Sequence, residues 1–271
     1  MIENIKYKNL TNYLKELGSV AVAFSGGVDS TFASKVAKEV LGDKAIAITV
    51  MSPYIPKWEI EEAKAIAKEI GIKHEFLNVP VIPEEIKFNP VDRCYICKTA
   101  VFTNIKKLAE NAGYKYVVDG TNADDVKEYR PGLRALKELD IKSPLKEIGI
   151  KKTEIREFSK VLGLPTWDKP SYACLLSRIP YNEEIKTEDL ESIEKAELYL
   201  INLGYRAVRV RKHKDLARIE LPKEEIARLI NNNLLEQVSK VLKGIGFRYV
   251  TLDMEGYRTG SLNEVLDDKA L

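Results

Sequence analysis

Val20-Ala21-Val22-Ala23-Phe24-Ser25-Gly26-Gly27-Val28-Asp29-Ser30 is the stretch that decides the fold of this chain. Val20 to Phe24 is an apolar, β-branched run, and Thr31 to Leu41 is amphipathic and closed by Gly42. The order predicts a buried strand, a tight Gly-Gly turn and a helix whose first turn carries Asp29 and Ser30. Such a turn suits phosphate. Two glycines let the backbone approach an anion with no Cβ in the way, and the free N–H groups and positive dipole end of the helix supply donors and partial charge. Ser25, Gly26, Gly27, Asp29 and Ser30 are therefore candidate phosphate-binding residues. The pattern G-x-x-x-x-G-K-[ST] is absent, so no lysine is placed as in a Walker A loop.

Outward from the loop, the chain alternates strand and helix patterns. Met1 to Leu17 reads as a leading amphipathic helix, Ala45 to Val50 as a strand, Trp58 to Ile70 as a helix ended by Gly71, and His74 to Val79 as a third strand. Lys98 to Asn111 is helical, and Tyr116 to Asp119 is a strand that runs into Gly120-Thr121-Asn122-Ala123-Asp124-Asp125. Strands alternating with helices of this length predict βαβ units and a parallel sheet with helices on both faces. Ligands of such sheets bind beyond the carboxyl ends of the strands, so the second polar loop is expected to face the same crevice as the first. A helix follows at Lys152 to Leu162. Trp167 to Tyr181, with three prolines and no clear period, reads as an active-site loop and connector. Beyond it, Thr187 to Leu203 is helical, Ala207 to His213 and Leu216 to Leu221 form a hairpin across Lys214-Asp215, and helices at Lys223 to Asn231 and Leu234 to Leu242 precede a last strand, Phe247 to Asp253. The expected division is an α/β domain over 1–166, a connector over 167–186 and a smaller α+β domain over 187–271.

Lys and Arg number 43 against 41 Asp and Glu, so extended RNA or DNA is not the expected partner. No run approaches the roughly 18 apolar residues of a membrane-spanning helix. Met1 to Lys15 lacks a signal-peptide core. A cytoplasmic enzyme is expected.

The chain has three cysteines, Cys94, Cys97 and Cys174. An odd, small number points to metal binding or catalysis rather than to a disulfide framework. Cys94-Tyr95-Ile96-Cys97 fits a redox pair, half of a zinc site or part of an iron–sulfur cluster. A zinc site needs a fourth ligand, and the only histidines are His74 and His213. A 4Fe-4S cluster held by three cysteines leaves one iron open for an exogenous ligand such as sulfide. Spacing alone leaves these readings open.

The loop Ser25 to Ser30 resembles the S-G-G-x-D-S loop of the PP-loop ATP pyrophosphatases, which grips the pyrophosphate of ATP while an acceptor takes the AMP. The G-T-N-x-x-D loop is similar to its counterpart near the adenylate and its metal. Together with Asp92 to Lys98, Ala173 to Arg178 and the hairpin Arg209 to Glu220, these segments resemble the LarE sulfur transferases of nickel-pincer nucleotide cofactor synthesis over nearly the whole chain. The resemblance implies an adenine nucleotide α-hydrolase-like fold and ATP and Mg2+ at Ser25, Gly26, Gly27, Asp29, Ser30, Gly120, Thr121, Asn122, Asp125 and Arg130. It also implies adenylation of a carboxylate of pyridinium-3,5-biscarboxylic acid mononucleotide, release of pyrophosphate and replacement of AMP by sulfur. Two sulfur routes exist in the family: a sacrificed cysteine, which Cys174 matches, or a 4Fe-4S cluster on three cysteines, which Cys94, Cys97 and Cys174 match. Asp29 and the three cysteines are thus the expected catalytic groups, served by a sulfide donor, in a homo-oligomer.

On the hairpin, the period of two puts Arg209, Arg211 and His213 on one face, and Leu216, Arg218 and Glu220 on one face of the partner strand. Arginines with a carboxylate beside them suit a phosphate held by forked hydrogen bonds. The LarE resemblance makes Arg209 and Arg211, with Glu197 on the preceding helix and Glu220, the site for the substrate phosphate. Tyr95 and Trp167 are candidate stacking partners for a pyridinium ring, with core packing as the plainer reading. The competing expectations are a cluster-dependent tRNA thiolase, an amide synthetase with structural zinc, and a nucleotide-binding scaffold without chemistry.

Overall fold

The computed structural model describes residues 2–125 and 131–266. The chain divides into two units, Met1–Val81 with Asp92–Ser171, and Ile82–Val91 with Tyr172–Leu271.

In the first unit the chain runs α1 (Ile5–Leu17), β1 (Val20–Ala23), α2 (Val28–Leu41), β2 (Ala45–Met51), α3 (Lys57–Ile70), β3 (Lys73–Asn78), α4 (Arg93–Asn111), β4 (Tyr116–Val118), α5 (Gly132–Glu138), α6 (Pro144–Glu147) and α7 (Lys152–Val161). The four strands form one parallel sheet in the order β3-β2-β1-β4, with Val20 opposite both Ala45 and Tyr116. Alternation along β1 explains the double burial. Val20 and Val22 pack with Phe32, Val36, Leu10 and Phe158 of α2, α1 and α7, while Ala21 joins Ile46, Ile48, Phe102 and Ile105 under α4. Both faces of the sheet are therefore covered, as expected of near-continuous apolar strands in a parallel sheet. This is the α/β architecture expected from the strand–helix alternation.

One boundary differs. α4 begins at Arg93, not Lys98, so Cys94 and Cys97 lie in the first turn of a helix. Of residues 93–98 only Arg93 is fully buried, so that turn carries no apolar period to announce it.

The second unit contains α8 (Thr187–Asn202), β5 (Arg209–His213), β6 (Leu216–Glu220), α9 (Lys223–Asn231), α10 (Leu235–Ile245) and β7 (Tyr249–Leu252). β5 and β6 are antiparallel and β7 adds parallel to β6, as a crossover through α9 and α10 allows. Val208, Val210, Ala217 and Ile219 face Ala196 and Leu200 of α8 and Leu242 of α10. Segment 82–91 is bound into this unit: Asn89 is fully buried, and its side-chain amide donates to the carbonyls of Ile179 (2.7 Å) and Pro180 (3.0 Å).

Beneath the nucleotide-loop strand, Thr49 Oγ1 donates its one proton to the Phe24 carbonyl (2.7 Å), so His74 Nε2, 2.7 Å away, is the donor to Thr49. Burial pushes the His74 imidazole down to about 4 from its ordinary 6.5. The unfolded chain then binds the extra proton between these values, so the stability that neutral His74 contributes is complete above pH 6.5 and is lost as pH falls towards 4. His74→Gln keeps a donor without a titrating group. The stability difference between the two proteins in urea is expected to change between about pH 7.5 and about pH 4.5 at the expense of the wild type. A pH-independent difference overturns this assignment.

Candidate functional site

Residues 24–31 fold as a strand-to-helix turn cinched on itself. Ser30 Oγ donates to the Gly27 carbonyl (3.2 Å) and accepts from the Ser25 N–H (3.2 Å), and Gly27 N–H points to Ser25 Oγ (3.3 Å). Gly27 caps α2 without any side-chain bond, leaving the first-turn donors aimed outward. Gly26 has φ +68°, and a Cβ there would lie 3.0 Å from Ala63 Cβ of α3, so this position is closed to other residues on two counts.

The second loop comes onto the first. A Cβ at Gly120 would stand 2.9 Å from the Ser30 nitrogen and 3.2 Å from Asp29 Cβ. Asp119, at the end of β4, is buried and accepts from Thr121 Oγ1 and from Ser143 Oγ (2.7 Å). Asn122 N–H donates to Asp125 Oδ2 (2.9 Å), and Asp124 Oδ2 accepts from the N–H of Lys152 (2.9 Å), which ties the loop to the start of α7. Arg130, the remaining residue expected at the nucleotide, lies outside the described residues.

Asp29 is the buried acid of this site. Its Oδ2 pairs with Lys152 Nζ, whereas Oδ1 is buried and accepts no hydrogen bond among the described residues. Burial pushes its carboxyl up, Lys152 pulls it back, and Asp125 adds to the rise.

Two lysines here escaped sequence reasoning. Lys152 sits in the first turn of α7, where a cation opposes the helix dipole; that misplaced charge was a legible signal. Lys169 is 6% exposed, and its Nζ donates to the Gly26 carbonyl (3.0 Å) and to Glu62 (2.7 Å). Nothing local marks it, since Asp168-Lys169-Pro170 reads as loop. Arg156 of α7 holds the segment by donating to the carbonyls of Trp167 and Lys169, each at 2.7 Å.

Cys94 is exposed and Cys97 half-buried, three residues apart on one side of the first turn of α4. Cys97 Sγ lies 3.6 Å from the Tyr54 hydroxyl, and burial pushes its thiol up. Tyr95 has the Arg134 guanidinium 3.6 Å over its ring, and Trp167 has Lys160 at 4.7 Å, so each has a cation over its ring. Cys174, in the second unit, is half-buried and precedes a single 3-10 turn, Leu175–Arg178. Its carbonyl accepts from Ser177 Oγ (3.0 Å) and Arg178 Nη1 (3.0 Å). Arg178 is 1% exposed and makes a forked pair with Glu197 at 2.9 and 2.8 Å. Within neither unit do three His, Cys, Asp or Glu residues among those described gather closely enough to hold a metal ion.

The hairpin register sets Arg209 opposite Glu220 and Arg211 opposite Arg218. Arg211 is buried and its fork is engaged by Glu220, the Ser177 carbonyl (2.6 Å) and Ser261 Oγ (2.7 Å). Arg209 lies between the rings of Tyr172 (5.5 Å) and Tyr257 (5.2 Å), and burial, then the charge of Arg178, lowers its pKa. Glu197 also accepts from the Val210 N–H (2.8 Å), so both of its oxygens hold protein groups. The structure thus gathers Arg178, Glu197, Arg209, Arg211 and Glu220 in one unit and the nucleotide loops in the other.

A family model described as NAD synthase matches residues 2–101. An uncharacterised protein of Synechocystis sp. is 47% identical over 98% of this chain and 99% of its own length. A glutamine-hydrolysing GMP synthase of Archaeoglobus fulgidus is 28% identical over 58% of this chain and 57% of its own. Pyridinium-3,5-bisthiocarboxylic acid mononucleotide synthase of Lactiplantibacillus plantarum is 37% identical over 96% of this chain and 95% of its own. A nucleotide loop shared with the NAD and GMP synthases, and similarity to the mononucleotide synthase that runs through both units, place the chain in the LarE family of ATP-dependent PP-loop sulfurtransferases.

Proposed function

We propose that this enzyme adenylates a carboxylate of pyridinium-3,5-biscarboxylic acid mononucleotide and exchanges the AMP for sulfur. The carboxylate oxygen attacks the α-phosphorus of ATP, the bond to the β-phosphate breaks and pyrophosphate leaves; a sulfur nucleophile then attacks the acyl carbon and AMP departs. A carboxylate accepts sulfur poorly because oxide is a hopeless leaving group, and AMP is a good one. The observation that carries the reading is the cradle made by Gly26, Gly27 and Gly120 at the start of α2, in which backbone donors replace a phosphate-binding lysine of the Walker type. The acceptor is taken from the name of the Lactiplantibacillus relative.

The unsatisfied Oδ1 of Asp29 fits a Mg2+ ion shared with the phosphates, an ion that takes one or two carboxylates and completes its shell with water and phosphate oxygen. Asp125 is the neighbouring acid. Gly120, Thr121 and Asn122 belong to the same nucleotide site, and Arg130 completes the set.

Cys94, Cys97 and Cys174 form a soft, all-thiol donor set, and none is tied up in a disulfide. When bound there, a 4Fe-4S cluster supplies an open iron that keeps sulfide deprotonated near neutral pH. The chain's own contribution is to hold the thiols: Cys97 beside Tyr54, and the backbone of Cys174 on Arg178. Anaerobic reconstitution with iron and sulfide tests the route. About four irons per chain, lost in Cys94→Ala, Cys97→Ala and Cys174→Ala, is the expected result. Absence of iron, with loss of one sulfur mass from Cys174 during turnover, instead assigns the sacrificial route.

Arg209 is the substrate-phosphate residue in this reading, with Arg211, Glu220 and Glu197 holding the surface around it. Arg209→Ala is expected to raise KM for the mononucleotide by about 10- to 100-fold, a loss of about 1.5–3 kcal/mol for a charged hydrogen bond, and to leave ATP affinity unchanged. An unaltered KM overturns the assignment. A cytoplasmic homo-oligomer supplied by a separate sulfide donor completes the proposal.

A further inference from the structure

We propose that Lys169 is a positioning residue for the nucleotide loop, acting through the Gly26 carbonyl on the donor set that meets the pyrophosphate. This rests on the ATP-dependent reading of the site. Lys169 Nζ binds the Gly26 carbonyl at 3.0 Å. In a planar trans peptide the carbonyl and the following N–H point in opposite directions. Holding the Gly26 oxygen therefore turns the Gly27 N–H the other way, into the concave side of the loop, where it meets only the long contact to Ser25 Oγ at 3.3 Å.

Glycine makes this control necessary. Gly26 at φ +68° and Gly27 beside it have no side chains to fix their peptide plane, and such a peptide is free to flip. The loop's own hydroxyls hold the Gly27 carbonyl through Ser30, but among the described contacts the Gly26 carbonyl is held by Lys169. Glu62 pairs with the same ammonium at 2.7 Å, so the buried cation is compensated and fixed between α3 and the loop. From the other side Arg156 clamps the Lys169 carbonyl at 2.7 Å. A lysine aimed at solvent or at a future phosphate has no need of this three-sided support.

The test compares wild type, Lys169→Met and Arg156→Ala as full chains. Arg156 is only half-buried, so its variant keeps the test open if Lys169→Met does not fold. In nucleotide-free protein, amide hydrogen exchange over residues 25–30 is expected to speed up in both variants. ATP and pyrophosphate affinity are expected to fall about tenfold or more in Lys169→Met, the loss of one charged hydrogen bond's worth of preorganisation, with a smaller fall in Arg156→Ala. AMP affinity should change less than about threefold, because AMP lacks the β- and γ-phosphates that the loop grips. Weakened ATP binding with unchanged exchange in the nucleotide-free protein makes Lys169 a direct phosphate ligand and overturns positioning. Unchanged ATP affinity and unchanged exchange overturn it as well. A wild type that binds no ATP overturns the parent reading together with this one.

Discussion

Glu197→Ala is expected to lose about 3–5 kcal/mol of folding stability, the cost of breaking a buried ion pair from one side. Arg178 is 1% exposed and Glu197 2% exposed, and the pair is forked, with Nε and Nη2 on the two carboxylate oxygens. Removing the carboxylate leaves the guanidinium buried without the charge that faces it, and also takes the acceptor from the Val210 N–H. Arg178→Met with Glu197→Leu removes both charges and should recover most of the loss, since apolar groups of similar volume often replace such pairs without penalty. Urea unfolding of the single and double variants gives the coupling directly. A loss under about 1 kcal/mol in Glu197→Ala would mean that water reaches the pair. Arg178 also carries the carbonyls of Ala173 and Cys174, so alkylation of Cys174 in Glu197→Ala should be faster even where the protein remains folded.

Gly120→Ala is expected to cost about 1–3 kcal/mol of stability through overpacking and, with it, measurable ATP binding. The added Cβ meets the Ser30 nitrogen at 2.9 Å and the Asp29 carbonyl carbon at 3.2 Å, both backbone atoms of the first turn of α2. Relief requires the two loops to part at the turn that supplies donors to the phosphates. Gly113→Ala is the matched control: φ is +83° there, so stability falls, but the new methyl meets nothing within 4 Å and the position lies at the far end of β4. Calorimetric titration with ATP separates the two. If Gly120→Ala binds ATP as wild type does, the close approach of the loops has no part in nucleotide binding.

Strand–helix alternation and the Gly-Gly turn made the first unit legible, because in a parallel sheet the apolar runs, the capping glycines and the crevice position all follow from local pattern. The period of two likewise put Arg209 and Arg211 on one face. What pattern could not supply was burial: both strand faces are covered, and Arg211 is engaged by Glu220, Ser177 and Ser261, contacts that span up to 50 residues of sequence. Lys169 was hidden for the same reason, as its partners Gly26 and Glu62 lie 143 and 107 residues away. The start of α4 was missed because its first turn serves the thiols and not the core. Cys94 and Cys97 were legible as a pair, but their helical setting was not.

The assignment of segment 82–91 to the second unit has a consequence for how the chain is made. Asn89 binds the carbonyls of Leu176, Ile179 and Pro180, the first of them 87 residues downstream. At about 5–20 residues per second, those partners leave the ribosome roughly 4–17 s after Asn89 does. During that interval α4, β4 and the rest of the first unit emerge, while Ile86 and Asn89, both fully buried in the finished structure, wait without their partners. The second unit is thus not an independent cassette. An excised 172–271 fragment lacks the peptide that satisfies its Ile179 and Pro180 carbonyls, and adding residues 82–91 in trans is the complementation that should restore it.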